Sequence, residues 1–282
     1  MIPLVVDIGL PSLILFNILT KFSPHKIITL WQFPTAWIIE TIFFFILTLI
    51  FSHLAKPENR REFSATLFYQ NGIFFPIILI SQIYGEQSKL LVNLFLFTIF
   101  YPTFFFNTCS FFFKRKNLKR SVSIFKDVFN FAMLATIIGI LIKMLSIDKF
   151  IPNFIFNIFN KVGAMTIPLL MIIIGGNIYL DFKRKVKFEY FENVKFIFVK
   201  NFLFPLITII VLKFLPLNKE LSFILFLESA VPPITAIPIF VKRAGGNDSI
   251  ANQFLISSFI VSLFSIPAMF YFYSLIVLKI SQ

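Results

Sequence analysis

Glu228 stands in the stretch LSFILFLESAVPPITAIPIFV, residues 221–241, one turn before Pro232 and Pro233 and with no other charged side chain in that stretch. Inserting a charge at the centre of a bilayer costs about 2.5–3.5 kcal/mol, so an embedded carboxylate is a candidate for proton or ion coupling, or for lining a polar site with Ser229. FYQNGIFFPIIL, residues 68–79, is uncharged, yet it carries Asn71, Gly72 and Pro76, residues that interrupt helices. A helix broken inside hydrocarbon frees backbone N–H and C=O groups that protein or a water-filled cavity must satisfy. Half-helix N-termini also offer free N–H groups and a positive dipole end, which favour a carboxylate or another anion. The chemistry these residues suit is the binding of a small organic anion.

Other chemistries lack their residues. The 13 acidic side chains are scattered, so clustered carboxylates around a metal for lipid-linked transfer are not expected, nor is a His/Glu or Ser constellation for proteolysis. His25 and His53 fall in different loops or span ends and read as interfacial. Cys109 is the single cysteine and lies in an expected span, so neither a disulfide framework nor a metal site is expected. The protein is read as no enzyme and as needing no cofactor and no metal. Glu40 and Asp7, off-centre in their spans, are secondary candidates. Lys200 and Asn201 sit near the cytoplasmic end of a span, where the lysine would snorkel to the interface. Asn252, Gln253, Ser257 and Ser258 give the last span a polar face, suited either to the bundle interior or to helix-packing hydrogen bonds.

The elements that position these residues follow from composition. The chain has 282 residues, 58% of them hydrophobic and 43 of them Phe, with a mean hydropathy of +0.88, far above a soluble domain. An all-α polytopic membrane protein in the lipid bilayer is the class. A hydrocarbon layer of about 30 Å takes roughly 20 apolar residues per span, and about nine stretches qualify: residues 2–20, 36–55, 63–84, 90–113, 128–146, 160–181, 194–214, 221–241 and 250–278. The first has no basic leader and no small-residue cleavage site, so it is expected to be retained. The Phe excess reads as compositional bias, for which lipid-facing packing suffices.

A net charge of +13 does not imply nucleic acid here, because the basic residues are weighed by loop. Lys56, Arg60 and Arg61, the run from Lys114 to Lys126, the group from Lys183 to Lys195, and Lys242 with Arg243 fall on one side. By the positive-inside rule that side is cytoplasmic, which places the N-terminus inside and the C-terminus outside a cell membrane.

The prolines suggest an internal repeat. Pro11 precedes Pro76 by the same interval as Pro168 precedes Pro233, and each pair ends in an interrupted span followed by a small polar corner. Because residues 63–84 and 221–241 enter from opposite sides in this topology, the two halves are inverted. Inverted repeats with interrupted helices are the architecture of secondary transporters. A channel or receptor-like protein is the alternative, and paired breaks weigh against it.

Four stretches then resemble one known family. PENRREFSATLFYQNGIFFPIILISQIYG is similar to a basic loop and an Asn-containing crossover helix, and IIGILIKMLSIDKFIPNFIFNIFNKVGAMTIPLLMIIIGGNIYL to the opening of a second half. ESAVPPITAIPIFVKRAGGNDS resembles the second crossover helix, and SSFIVSLFSIP the last span. The family is that of the auxin efflux carriers, in its prokaryotic short-loop type, whose members include carriers of organic acids. The resemblance implies two inverted five-helix repeats, a scaffold and a transport domain, elevator-like alternating access, and substrate at the crossover of residues 63–84 and 221–241. It also implies substrate-binding roles for Asn71, Gly72, Pro76, Ser229, Pro232 and Pro233, possible ion or proton coupling at Glu228, and a possible homodimer.

Two departures follow. Ile78 occupies the family's usual proline place, with Pro76 two residues earlier. VDIGLPSLILFNIL is similar to the family's second helix, so the resemblance implies a sequence that starts at that helix, and four plus five spans are expected. The halves are residues 1–113 and 128–282, joined by a basic cytoplasmic loop at 114–127.

Overall fold

The structure is a computed structural model and describes residues 4–22, 31–113, 131–182 and 188–278. The basic segment 114–127, His25 and the run 183–187 lie outside the described residues. Among the described residues the ordered elements are helical, and four helices are long and apolar enough to cross a membrane: Gln32–Leu54, Asn153–Ile173, Tyr190–Phe214 and Asp248–Ile276. Phe74–Tyr84 and Phe131–Met144 are shorter apolar helices.

The chain divides into two compact units, each drawing on both halves of the sequence. The first comprises Met1–Ile38, Ile73–Asn107 and Ser121–Gly176. Its centre is the Leu10–Lys21 helix, which packs on Phe131–Met144 and Asn153–Ala164. Close approach depends on small residues. A Cβ at Gly163 would lie 2.9 Å from the Leu13 Cα, and one at Gly139 would lie 3.1 Å from the Ile18 side chain. Trp37 sets its ring edge-on to Phe104, with centroids 5.4 Å apart.

Asn153–Ala164 departs from the sequence reading, which started a span only at residue 160. Pro152 opens this helix and Asn153, Asn157, Asn160 and Lys161 make it half-exposed. Asn153 and Asn157 lower the hydropathy of the part left out, although Asn is compatible with a helix. After a turn at Met165 the chain continues as Thr166–Phe182, with Pro168 in its first turn.

The second unit comprises Ile39–Gly72, Thr108–Arg120 and Asn177–Gln282. Its spine is Asp248–Ile276, capped by the Asn247 side chain, which accepts from the Ser249 and Ile250 N–H groups. The Glu62 carboxylate accepts from the Asn247 N–H at 2.8 Å and so ties the start of the Arg60–Phe68 helix to this turn. The polar face of the spine makes helix-packing bonds. Asn193 Nδ2 donates to Gln253 Oε1 (3.2 Å) and Ser257 Oγ donates to Asn193 Oδ1 (2.7 Å). Two turns further on, Asn201 Nδ2 donates to the Ser258 carbonyl (3.0 Å) while Ser258 Oγ donates to Asn201 Oδ1 (2.8 Å). Phenylalanine fills the remaining space: Phe63 meets Phe196 and Phe254 edge-on, and those two rings stack at 4.6 Å.

Among the described residues there are two six-residue π-helical segments: Leu4–Gly9 leads into the Leu10–Lys21 helix and Phe198–Leu203 interrupts an α ladder, and each is followed within two residues by a proline, Pro11 or Pro205. Proline donates no N–H and its ring crowds the carbonyl four residues back, so the preceding turn widens.

Gly163→Ala forces a methyl against the Leu13 backbone, which cannot rotate away. We expect a loss of about 1–3 kcal/mol, the range for overpacking a tight contact, read as a lowered unfolding temperature in detergent. Gly175→Ala, where no atom lies within 4 Å of the added methyl, serves as the control and should stay within about 0.5 kcal/mol of the parent.

Candidate functional site

The first interrupted helix runs as Arg60–Phe68, leaves the helical path over residues 69–73, and resumes as Phe74–Tyr84. Pro76 is the third residue of the resumed helix, in the first turn, where a missing N–H leaves no bond unmade. It starts the second half-helix; the break itself belongs to Asn71 and Gly72. The second interrupted helix runs as Lys219–Ala230 and resumes as Ile237–Arg243 after residues 231–236. Here Pro232 and Pro233 remove two N–H donors that would otherwise need partners.

The two breaks pair with each other. Ile234 N–H donates to the Tyr69 carbonyl and Asn71 N–H donates to the Pro232 carbonyl, each at 2.9 Å, which makes an isolated antiparallel bridge between Gln70 and Pro233. The two half-helices leading into it close normally, through Tyr69 N–H to the Ala65 carbonyl and Val231 N–H to the Leu227 carbonyl. The bridge therefore satisfies main-chain groups that the interruptions free at a buried place, where each unpaired group costs several kcal/mol.

Side chains gather around the bridge. Asn71 is 2% exposed and its Nδ2 has no hydrogen-bond partner. The Glu228 carboxylate lies against Gly72 so closely that a Cβ there would collide with it. Glu228 is 5% exposed and its Oε1 is unpartnered. Ser229 is fully buried, but its Oγ donates to the Phe226 carbonyl at 2.6 Å, so the hydroxyl is already used within its own helix. The structure thus brings together Asn71, Gly72, Glu228, Ser229, Pro232 and Pro233, all in the second unit, while Pro76 belongs to the first.

Two residues were undervalued in the sequence. Lys200 does not snorkel to an interface. It is 0% exposed, with Nζ 3.4 Å from the Ser229 carbonyl and 5.3 Å from the centre of the Phe204 ring. The π segment Phe198–Leu203 explains the difference, because Lys200 and Asn201 are adjacent in sequence and both are buried, the lysine toward Ser229 and the asparagine toward Ser258. Glu40 is 7% exposed, has an unpartnered Oε1, and lies within charge–charge reach of both Glu228 and Lys200. Pro205 and the presence of opposite charges in separate spans were the available signals for this grouping. The buried cluster holds two carboxylates and one ammonium.

An asparagine amide, a glycine-lined break and a buried charge cluster at paired helix interruptions suit the holding of a polar solute within a bilayer. Residues 1–270 match the family model of the membrane transport proteins, the auxin efflux carriers and their PIN-like relatives. The chain belongs to that family. No curated protein matches it. The membrane transport proteins are transporters, which agrees with four helices able to span a bilayer and with an interior that keeps ionisable groups.

Gly72→Ala places a methyl on the Glu228 carboxylate. We expect lost transport, because the Glu228 carboxylate, the far end of a flexible side chain, must swing away from the break to admit the methyl. Gly246→Ala, a comparably crowded position away from the breaks, should lower the unfolding temperature while leaving the affinity for transported solute unchanged in the folded fraction.

Proposed function

We propose that this membrane transport protein is a secondary carrier of a small organic anion, bound where the breaks at residues 69–73 and 231–236 cross. The observation that carries the reading is the main-chain bridge between Gln70 and Pro233 with the unpartnered Asn71 amide beside it. Asn71 Nδ2 has donor capacity free for a carboxylate, Gly72 makes room for the Glu228 carboxylate, and Pro232 and Pro233 remove competing donors. Ser229 contributes backbone more than hydroxyl, and Glu228 is the candidate for ion or proton coupling.

Within this reading the chain forms about nine spans as inverted repeats over residues 1–113 and 128–282, in a cell membrane with a cytoplasmic N-terminus. Alternating access follows from an elevator-like movement of a transport domain against a scaffold.

The test is uptake and counterflow by protein reconstituted in liposomes, with a panel of dicarboxylates, indole acids and other anions. Saturable flux with counterflow is expected. Asn71→Ala should raise the half-saturating concentration about ten- to hundredfold, since a hydrogen bond to a charged group is worth about 1.5–3 kcal/mol. Unsaturable flux would point to a channel instead, and an Asn71→Ala protein with unchanged kinetics would remove the crossover as the binding site.

A further inference from the structure

The charge count of the buried cluster does not close. Lys200 can balance one of the two carboxylates, Glu40 and Glu228, and the second is left without a counter-charge. The groups around Glu228 on each neighbouring element are few. Gln32–Phe51 contributes Glu40; the π segment contributes Lys200; Phe204–Phe214 carries only Lys213, beside the Phe214 ring at its far end. The spine contributes Tyr273, whose hydroxyl donates to Ser222, and the first break contributes Tyr69, whose hydroxyl pairs with Thr108. Ile237–Arg243 has its basic residues at its outer end, with Lys242 paired to Asp248. Among the described residues none supplies the missing positive charge.

An isolated buried carboxylate is costly enough that it neutralises instead. A metal cation is a poor neutraliser here, because it would meet the Lys200 ammonium at the Ser229 carbonyl that could ligate it. A proton needs only one carboxylate oxygen, and Glu40 Oε1 and Glu228 Oε1 are both buried without a partner.

We propose that the Glu40–Lys200–Glu228 cluster holds one exchangeable proton, and that the organic anion binds with it and travels with it. The transport half rests on the carrier reading above; the proton site does not. The proton comes from water on the loading side, adds to a carboxylate oxygen to give a neutral carboxylic acid, and returns to water on the releasing side. Its link to the anion is steric and electrostatic. The Glu228 carboxylate lies on Gly72, the residue that follows Asn71, so an anion accepting from Asn71 Nδ2 faces repulsion unless Glu228 is neutral. A monocarboxylate then crosses without net charge and a dicarboxylate with a net charge of minus one.

Infrared titration of the protein in lipid tests the site without any substrate. The wild type should show one buried carboxylic acid per chain at neutral pH. Glu40→Gln and Glu228→Gln each leave one carboxylate balanced by Lys200 and should abolish that band, whereas Lys200→Met should double it. No acid band in the wild type, or an unchanged band in Lys200→Met, overturns the proton site. In liposomes, an inward pH gradient should accelerate uptake of whichever of L-malate or indole-3-acetate is carried, and Glu40→Gln should abolish the acceleration. A band that is present beside flux indifferent to the gradient overturns the coupling. If neither probe nor any other anion moves, the carrier reading fails, and the infrared result alone decides the proton site.

Discussion

Hydrogen bonding of the main chain at low dielectric is the constraint on which the rest of this structure depends. A helix satisfies its own backbone, and any interruption must find replacement partners where water is scarce. This chain meets the requirement by breaking two helices at one place and letting each break serve the other. Two short main-chain bonds, Ile234 to Tyr69 and Asn71 to Pro232, turn two separate liabilities into one joint. Proline contributes by subtraction, since Pro232 and Pro233 bring no donors that would need acceptors.

Around that joint the polar side chains divide into those consumed by structure and those left over. Asn193, Asn201, Gln253, Ser257 and Ser258 are committed to holding one long helix against another, so their polarity is fully used. Asn71, Glu40 and Glu228 each retain a buried polar atom without a partner. Other buried atoms without a partner lie away from the breaks, Asn252 Oδ1 on the same long helix and Thr166 Oγ1 in the first unit among them, so what marks the breaks is that Asn71 and Glu228 meet there beside the paired main chains.

Local chemistry made the breaks legible in the sequence, because Asn-Gly and Pro-Pro act through their own backbone wherever they occur. Register and partnership were not legible. Lys200 reads as a snorkelling residue near a span end, and only the widened turn before Pro205 brings it inward. The start of the Asn153–Ala164 helix is hidden because hydropathy penalises Asn153 and Asn157 although a helix tolerates them. Phenylalanine was ambiguous for a physical reason: lipid tails and protein interiors are about equally apolar, so composition cannot tell Phe63, Phe196 and Phe254 in the core from Phe264 on the surface. Ser229 illustrates a further gap, since the residue type offers a hydroxyl that the folded helix has already taken up.

The π segment Phe198–Leu203 has a consequence for how this protein can vary. A π turn is equivalent to one additional residue inserted in an α-helix, so the helix before it and the helix after it are out of phase by about one position. Glu192 and Asn193 lie before the offset and Phe204 after it, while Lys200 and Asn201 lie within it. Chain length between Asn193 and Pro205 is therefore a specification as much as the residue types are. Deleting a single apolar residue there, with every polar side chain retained, would restore an ordinary ladder and turn the ammonium away from its carboxylates.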